Sequence, residues 1–321
     1  MTQPLEPVAI GRPIITIVGP TASGKSALGI ALAKHLDGEI INLDSVQVYR
    51  GLYVATAKVS KEEMQGIAHH LIDIVDPTEN FTAGDYARQA TTTIAEIEAR
   101  NRYAMLVGGS GFYLRALQGA LFDEKQPTNL ELRDRLKAIR LRRGAPYLHR
   151  MLTRLDKTAA SKIAPNDWSR TIRAIEVYFQ TGRSITDWQQ KKMPSPPAFT
   201  ARISLFALNP PREKLYKRIN TRVDQMFEQG LIAEVQGLLD QGIPPNAKAF
   251  GAHGYRRVIE YLQGERSLES CIEQTKLDTR HYAKRQLTWW RHTQDVAWLN
   301  DFGQEEQLVE EVLKVLEQKG Y

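Results

Sequence analysis

Eight consecutive residues constrain this chain more than any others. Gly19-Pro20-Thr21-Ala22-Ser23-Gly24-Lys25-Ser26 fits the pattern G-x-x-x-x-G-K-[ST] and directly follows the apolar, β-branched run Ile14-Ile15-Thr16-Ile17-Val18. A short apolar run closed by glycine reads as a buried parallel strand, and Lys25–Leu36 behind it carries a helical pattern. In that setting the loop is a P-loop. Its glycines turn backbone N–H groups towards an anion, the helix N-terminus adds partial positive charge, and Lys25 bridges phosphate oxygens. The Ser26 hydroxyl is placed to hold Mg²⁺. The motif predicts a polyphosphate at the end of the first strand and leaves open which one.

Strands and helices continue to alternate through the first third. Glu39-Ile40-Ile41-Asn42-Leu43 predicts a second strand ending at Asp44, and Leu71-Ile72-Asp73-Ile74-Val75 a third. Thr82 with Asp85 forms a capping-box pattern for a helix running to about Arg100. Tyr103-Ala104-Met105-Leu106-Val107 reads as another strand, closed by Gly108-Gly109-Ser110-Gly111. From about Leu121 strand-like runs stop, and residues 129–190 show helical periodicity interrupted by Gly144, Pro146, Pro165 and Gly182. Met193-Pro194-Ser195-Pro196-Pro197 is a linker signal. Ile203–Leu208 reads as a strand again, followed by long helices and a short strand near Val296–Leu299. The expected fold is α/β, a P-loop parallel-sheet core with an inserted, mostly α-helical domain. The core takes residues 1–120 and 200–321, and the insert takes 121–199.

Charge distinguishes the two parts. The net charge is +6, yet residues 121–199 hold sixteen Lys or Arg against eight Asp or Glu, leaving the remainder at −2. A basic block on a near-neutral body is the footprint of a polyanion-binding surface, although a solvated Lys/Arg-rich helical face gives the same count. One cysteine, Cys271, excludes an internal disulfide and a Cys-rich zinc site. Apolar runs such as Ile14–Val18 are too short to cross a bilayer, and Met1–Arg12 has no apolar stretch of the signal-peptide kind. A cytoplasmic protein with no membrane partner is expected.

Asp44 stands at the carboxyl end of the second strand, where doubly wound sheets place ligands. It can serve as magnesium ligand, general base or N-cap. Ser110 takes the equivalent position after a later strand, so its loop and the Asp44 turn converge beside the P-loop. His69-His70 is a weak metal signal, because adjacent side chains diverge and no third ligand follows at metal spacing. Of Trp289 and Trp290, one is expected to be core packing.

These motifs together resemble the bacterial tRNA dimethylallyltransferases. The resemblance runs through Gly19–Ser26, Asp44–Tyr49 with Thr56-Ala57-Lys58, and His70–Ile74. It continues through Val107–Gly111 with Tyr113, and Pro165-Asn166-Asp167 with Arg170, Arg173 and Glu176. Arg222–Met226 with Gly230-Leu231, then Gly254-Tyr255-Arg256 and Ala283–Trp289, carry it to the end of the chain. It implies transfer of a dimethylallyl group from dimethylallyl diphosphate to N6 of the adenosine 3′ of the anticodon (position 37), in tRNAs reading codons that start with U. The implied catalytic residues are Asp44, as base, and Ser110. The diphosphate would be held by Gly19, Pro20, Thr21, Ala22, Ser23, Gly24, Lys25, Ser26 and Arg222, with Mg²⁺ at Ser26. Contacts to the tRNA anticodon stem-loop are implied for Asp44, Ser45, Val46, Gln47, Ser110, Arg133, Ser169, Arg170, Thr171, Ile172 and Arg173. Gly254, Tyr255, Arg256, Lys284 and Arg285 complete that set, and a monomer suffices for the reaction. The chain departs from the family pattern at Val46, at Ala55 where Gly is usual, at Ser110 where Thr is common, and at His253.

Three alternatives share the P-loop: a small-molecule kinase, a prenyltransferase acting on free adenine nucleotides, and a non-catalytic RNA-binding protein. The first two have no need of a +8 insert, and an intact Gly24-Lys25-Ser26 with Asp44 argues against the third.

Overall fold

The computed structural model describes residues 11–119, 129–190 and 197–321. Six strands form one all-parallel sheet: β1 (Ile14–Val18), β2 (Gly38–Leu43), β3 (His69–His70), β4 (Tyr103–Gly108), β5 (Ile203–Leu208) and β6 (Val296–Leu299). Their order is β3-β2-β4-β1-β5-β6. The chain leaves β1 for β2 on one side and later returns to β5 on the other, so the end of β1 is the switch point where such sheets bind ligands. Every residue of β1 and β2 is buried, as expected of strands covered on both faces.

Helices α1 (Lys25–Leu36), α2 (Ala83–Ala99) and α3 (Gly111–Leu117) belong to the first part of the chain. Five more, α4 (Leu130–Arg143), α5 (Ala145–Leu155), α6 (Lys157–Lys162), α7 (Trp168–Thr181) and α8 (Ile185–Gln190), follow. After β5 come α9 (Arg212–Glu228), α10 (Leu231–Asp240), α11 (His253–Leu262) and α12 (Leu268–Arg291), with α13 (Gln307–Gln318) last. The expected capping box starts α2: the Thr82 hydroxyl accepts from Asp85 N–H at 3.1 Å, and the Asp85 carboxylate accepts from Thr82 N–H at 2.9 Å. No helix among the described residues is long and apolar enough to cross a membrane.

The chain divides into two compact units, Met1–Leu117 with Ala198–Tyr321, and Gln118–Pro197. In the first, Ile15, Ile17, Leu28, Leu32, Met105, Phe206 and Leu308 meet in one apolar core. The second has its own small core of Leu136, Leu148, Leu152, Ile172 and Ile175. Of the linker read at 193–197, residues 193–196 lie outside the described residues.

The third strand differs from expectation. It is His69–His70, paired with Ile40 and Ile41, and not 71–75. Leu71 and Asp73 adopt left-handed φ of 60° and 54°, which a strand does not accommodate. The segment instead latches onto the turn after β2, with Ile74 N–H donating to Val48 O at 2.8 Å.

At the opposite end of β2, Glu39 is buried and accepts hydrogen bonds from Arg100 at 2.7 Å and from His70 at 2.6 Å. The Arg100 bond above all, then His70, holds its carboxyl at about 2, below its usual 4.5. The folded-state value is the lower one, so this stabilisation is present in full above about pH 4.5 and fades as pH falls towards 2. Glu39→Gln is therefore expected to lower stability by about 3 kcal/mol at pH 7. Urea unfolding at pH 7 and pH 4 checks this: the gap to the parent protein should narrow at the lower pH, and a pH-independent gap would contradict it.

Candidate active site

The strand register brings three loops to one edge of the sheet. Val18 pairs with Ala207, and Leu43 pairs with Gly108. The P-loop, the Asp44 turn and the Gly109–Gly111 loop therefore leave the sheet side by side. They open on a cavity of about 1360 Å³ lined by Thr21, Lys25, Ser26, Asp44, Gln47, Arg218, Arg222 and Tyr282, among others.

The P-loop has a strained backbone. Gly24 precedes α1 at φ 90°, and a Cβ there would lie 2.5 Å from Gln304 Oε1 and 2.9 Å from Gly303 N, so only glycine fits. Ala22 holds a left-handed φ of 63° despite its methyl group. Such a conformation costs on the order of 1 kcal/mol and persists only where neighbours hold it. Here Gly303 N–H donates to Ser23 O at 2.9 Å, and Thr21 N–H donates to Gln286 Oε1 at 2.8 Å.

Lys25 donates from Nζ to Pro20 O at 2.8 Å, lying back across its own loop. Burial lowers its pKa to about 8; Asp44 partly restores it, while Arg222 lowers it further. Burial likewise lowers the pKa of Arg222, against the attraction of Asp44. Three charged side chains from α1, α9 and the β2 turn thus feel one another across the cavity.

Asp44 is braced on both sides. Its Oδ1 accepts from Val46 N–H at 2.8 Å and from Gln47 N–H at 3.4 Å, a local Asx turn. Its own N–H donates to Asn42 Oδ1 at 3.0 Å, while Asn42 Nδ2 donates to the carbonyls of Asp44 and Leu71. Ser45 N–H donates to Ser110 Oγ at 3.1 Å. One carboxylate oxygen of Asp44, Oδ1, thus serves the turn, and the residue also lines the cavity.

Several implied residues have structural partners that the sequence did not disclose. Gln47 turns its side chain to the carbonyls of Thr56 and Ala57 at 3.0 and 3.3 Å. Tyr255 is buried, its hydroxyl donating to Glu234 Oε1 at 2.6 Å, and Glu234 also accepts from the N–H groups of Tyr53 and Val54. Tyr255 therefore presents no ring to RNA; it fixes the segment behind the Asp44 turn. Gly254 must stay small, since a Cβ there would meet the methyl of Ala55 at 3.2 Å. Arg256, Lys284 and Arg285 are exposed, with Arg285 3.2 Å from His253 Nε2. Trp290 is buried and Trp289 is 38% exposed, dividing the pair between core and surface as expected. Trp289 packs where a Cβ on Gly111 would stand, only 2.0 Å from its Nε1.

In the second unit the picture is corrected in part. Thr171 and Ile172 are buried, so their side chains do not face RNA. Arg133 and Arg173 each place a guanidinium 2.9 Å from the fully buried Glu176, which also accepts from Asn129 N–H. They compensate a buried carboxylate that would otherwise be costly. Ser169 and Arg170 are exposed, with Arg170 only loosely paired to Asp167 at 3.5 Å. His70 bonds Glu39 through Nε2, and His69 bonds the Ile67 carbonyl through Nδ1.

Arg218, Asn42 and Gln286 are functional candidates that sequence reasoning missed. Arg218 stands four residues before Arg222 and so shares its helix face, a spacing that could have revealed it. Ser26 and Asp44 offer a hydroxyl and a carboxylate to the same cavity. Such a hard-oxygen set suits Mg²⁺, which keeps several waters and shares phosphate oxygens.

Comparison with known proteins supports the fold and the family resemblance. The sequence profile described as "IPP transferase" matches residues 47–293. The chain is 46% identical over 291 residues to a tRNA dimethylallyltransferase of Solibacter usitatus, covering 91% of this chain and 94% of that one. It is 43% identical to one of Geobacillus kaustophilus, covering 93% and 94%. Among solved structures it resembles the full-length tRNA isopentenylpyrophosphate transferase of Bacillus halodurans, with a TM-score of 0.70, 39% identity and 96% of each chain covered. A eukaryotic dimethylallyltransferase caught acting on tRNA matches at a TM-score of 0.76 and 29% identity, over 90% of this chain and 74% of that one.

Proposed function

The chain belongs to the IPP transferase family, and from that premise we propose that it carries the dimethylallyl group of dimethylallyl diphosphate to N6 of the adenosine 3′ of the anticodon. Dimethylallyl transfer to tRNA is the activity of the family. Our reading adds the donor, the acceptor atom at position 37, the preference for tRNAs reading codons that start with U, and the roles of the residues. The observation that carries it is the shared cavity: Lys25 of the P-loop, Arg218, Arg222 and the Asp44 carboxylate all line a single space.

The exocyclic amine of adenine is a weak nucleophile, because its lone pair is delocalised into the ring. As the N6–C1 bond forms, a proton must leave N6, and Asp44 is the base that takes it. The C1–O bond of the donor breaks, and its electron pair departs with the diphosphate. Charge growing on that leaving group meets the P-loop N–H groups, Lys25, Arg222 and Arg218. Mg²⁺ held through Ser26 would neutralise part of the same charge. Ser110, with its hydroxyl accepting from Ser45, steadies the Asp44 turn.

The acceptor base must leave its stack, at a cost of a few kcal/mol that is least in a single-stranded loop. The exposed cations Arg170, Arg256, Lys284 and Arg285 supply phosphate contacts of the kind that hold an RNA stem-loop, and Trp289 offers a ring for stacking. One chain carries every residue named, so a monomer suffices, and the cytoplasm is the setting this reading implies. Arg170→Glu should weaken tRNA binding and reduce the salt slope by about one ion. Arg133→Glu should instead destabilise the helical unit by setting a second carboxylate beside the buried Glu176, with only Arg173 left to face it. Binding titrations at several salt concentrations, paired with thermal melts, separate the two; an unchanged slope for Arg170→Glu would remove it from the interface.

The function is tested by digesting reacted tRNA to nucleosides. N6-dimethylallyladenosine should appear, and should vanish when the adenosine 3′ of the anticodon is replaced by guanosine. Its persistence in the replaced tRNA would contradict the assigned position.

A further inference from the structure

Gln286 lies on α12 between the P-loop and the loop after β4, and both ends of its side-chain amide are engaged. Its Oε1 accepts from Thr21 N–H at 2.8 Å, and its Nε2 donates to Gly109 O at 3.2 Å. The partners fix the orientation of the amide, because Thr21 offers only a donor and Gly109 only an acceptor. The side chain is 6% exposed, and a Cβ on Gly109 would stand 2.0 Å from Nε2, so the loop after β4 is shaped to admit it. On the other side of the contact is the strained part of the P-loop, with Ala22 at φ 63° immediately after Thr21.

From this arrangement we propose that Gln286 is a positioning residue for the diphosphate: it holds the Thr21–Ala22 backbone in the left-handed turn that the anion-binding loop requires. Gly109 O, at the end of the neighbouring strand, is the fixed point against which it does so. The same helix carries Lys284, Arg285 and Trp289 on its exposed side, so the diphosphate loop is set from the helix that bears these RNA-facing candidates. Without Gln286 the Thr21 N–H loses its partner, and Ala22 can relax towards φ below zero, turning its N–H away from the anion. The proposal rests on the reading that the P-loop binds the diphosphate of the donor.

The test uses the whole protein with Mg²⁺ and inorganic diphosphate as probe. Gln286→Leu keeps the shape of the side chain and removes both bonds. It should weaken diphosphate binding about tenfold and raise KM for the donor similarly, with affinity for tRNA and thermal stability little changed. Gln286→Glu provides the second reading. As a carboxylate it sets an oxygen against Gly109 O, whereas protonated it can again donate there while accepting from Thr21. Its diphosphate affinity, taken relative to the parent protein at each pH, should therefore recover as pH falls from 7 to 5.5. Parent-like diphosphate binding by Gln286→Leu would overturn the proposal while leaving the diphosphate reading intact. Equal losses of diphosphate binding, tRNA binding and stability would overturn it in favour of a purely structural role. A parent protein that fails to bind diphosphate at all would overturn both.

Discussion

Asp44→Asn is expected to lower kcat by roughly 10²- to 10⁴-fold, the range a positioned general base contributes. Asparagine is the informative substitution. Its side-chain oxygen can still accept from Val46 N–H, the bond that Asp44 Oδ1 makes at 2.8 Å, so the turn after β2 survives. What disappears is the capacity to take the N6 proton as the new bond forms. KM for the donor should stay within a few-fold, because the P-loop and the two arginines are untouched. A second consequence follows from the charges. Asp44 supports the protonated state of Lys25, so removing its charge should move the ionisation of Lys25 below about 8. Single-turnover kinetics with bound tRNA, together with diphosphate binding against pH, measures both effects. A variant with a parent-like rate would remove Asp44 as the base.

The second large effect belongs to Lys25. Lys25→Ala removes the one cation seated on the P-loop itself, and kcat/KM for dimethylallyl transfer should fall by about 10²- to 10³-fold, comparable to losing a principal donor to developing negative charge. The parent protein carries a pH signature of the same residue. Burial brings Lys25 to about 8 in the free protein. Below that pH it is charged and ready for an anion; above it, the charge must be restored before diphosphate can be held. Diphosphate affinity should therefore be level up to about pH 8 and then drop by up to tenfold per pH unit. Lys25→Ala should flatten that fall, and a variant that retained the parent profile would assign the titration to another group.

What was legible in the sequence was whatever depends on near neighbours. The P-loop, the strand before it and the helix after it are specified within about twenty residues, and the Thr82–Asp85 capping box within four. Asp44 could be placed because a strand end is a local signal. The third strand was misplaced because its apolar run hides two left-handed residues, Leu71 and Asp73, which composition does not disclose. The support of the site was less visible still. Gln286 meets Thr21 across 265 positions, and Glu234 meets Tyr53 across 181. Such pairs exist only once the sheet has assembled.

Charge counting misled in one specific way. It put Arg133 and Arg173 beside Arg170 among the phosphate contacts, whereas both face the buried Glu176. Counting cannot tell a solvated guanidinium from one that compensates an interior carboxylate. Thr171 and Ile172 came with the Ser169–Arg173 run that the resemblance implies, although Ile172 and Ile175 stand three residues apart on the face that packs into the core. A helical projection of α7 would have separated the inner residues from Ser169 and Arg170.

The central claim is that this P-loop holds a diphosphate leaving group while Asp44 prepares an RNA amine. Labelled dimethylallyl diphosphate, offered with Mg²⁺ to unmodified tRNA and in parallel to AMP and ATP, tests it most directly. The account predicts label in the tRNA alone, with diphosphate released in equal amount and ATP left intact. Label in AMP or ATP, or hydrolysis of ATP with no label transferred, would contradict it.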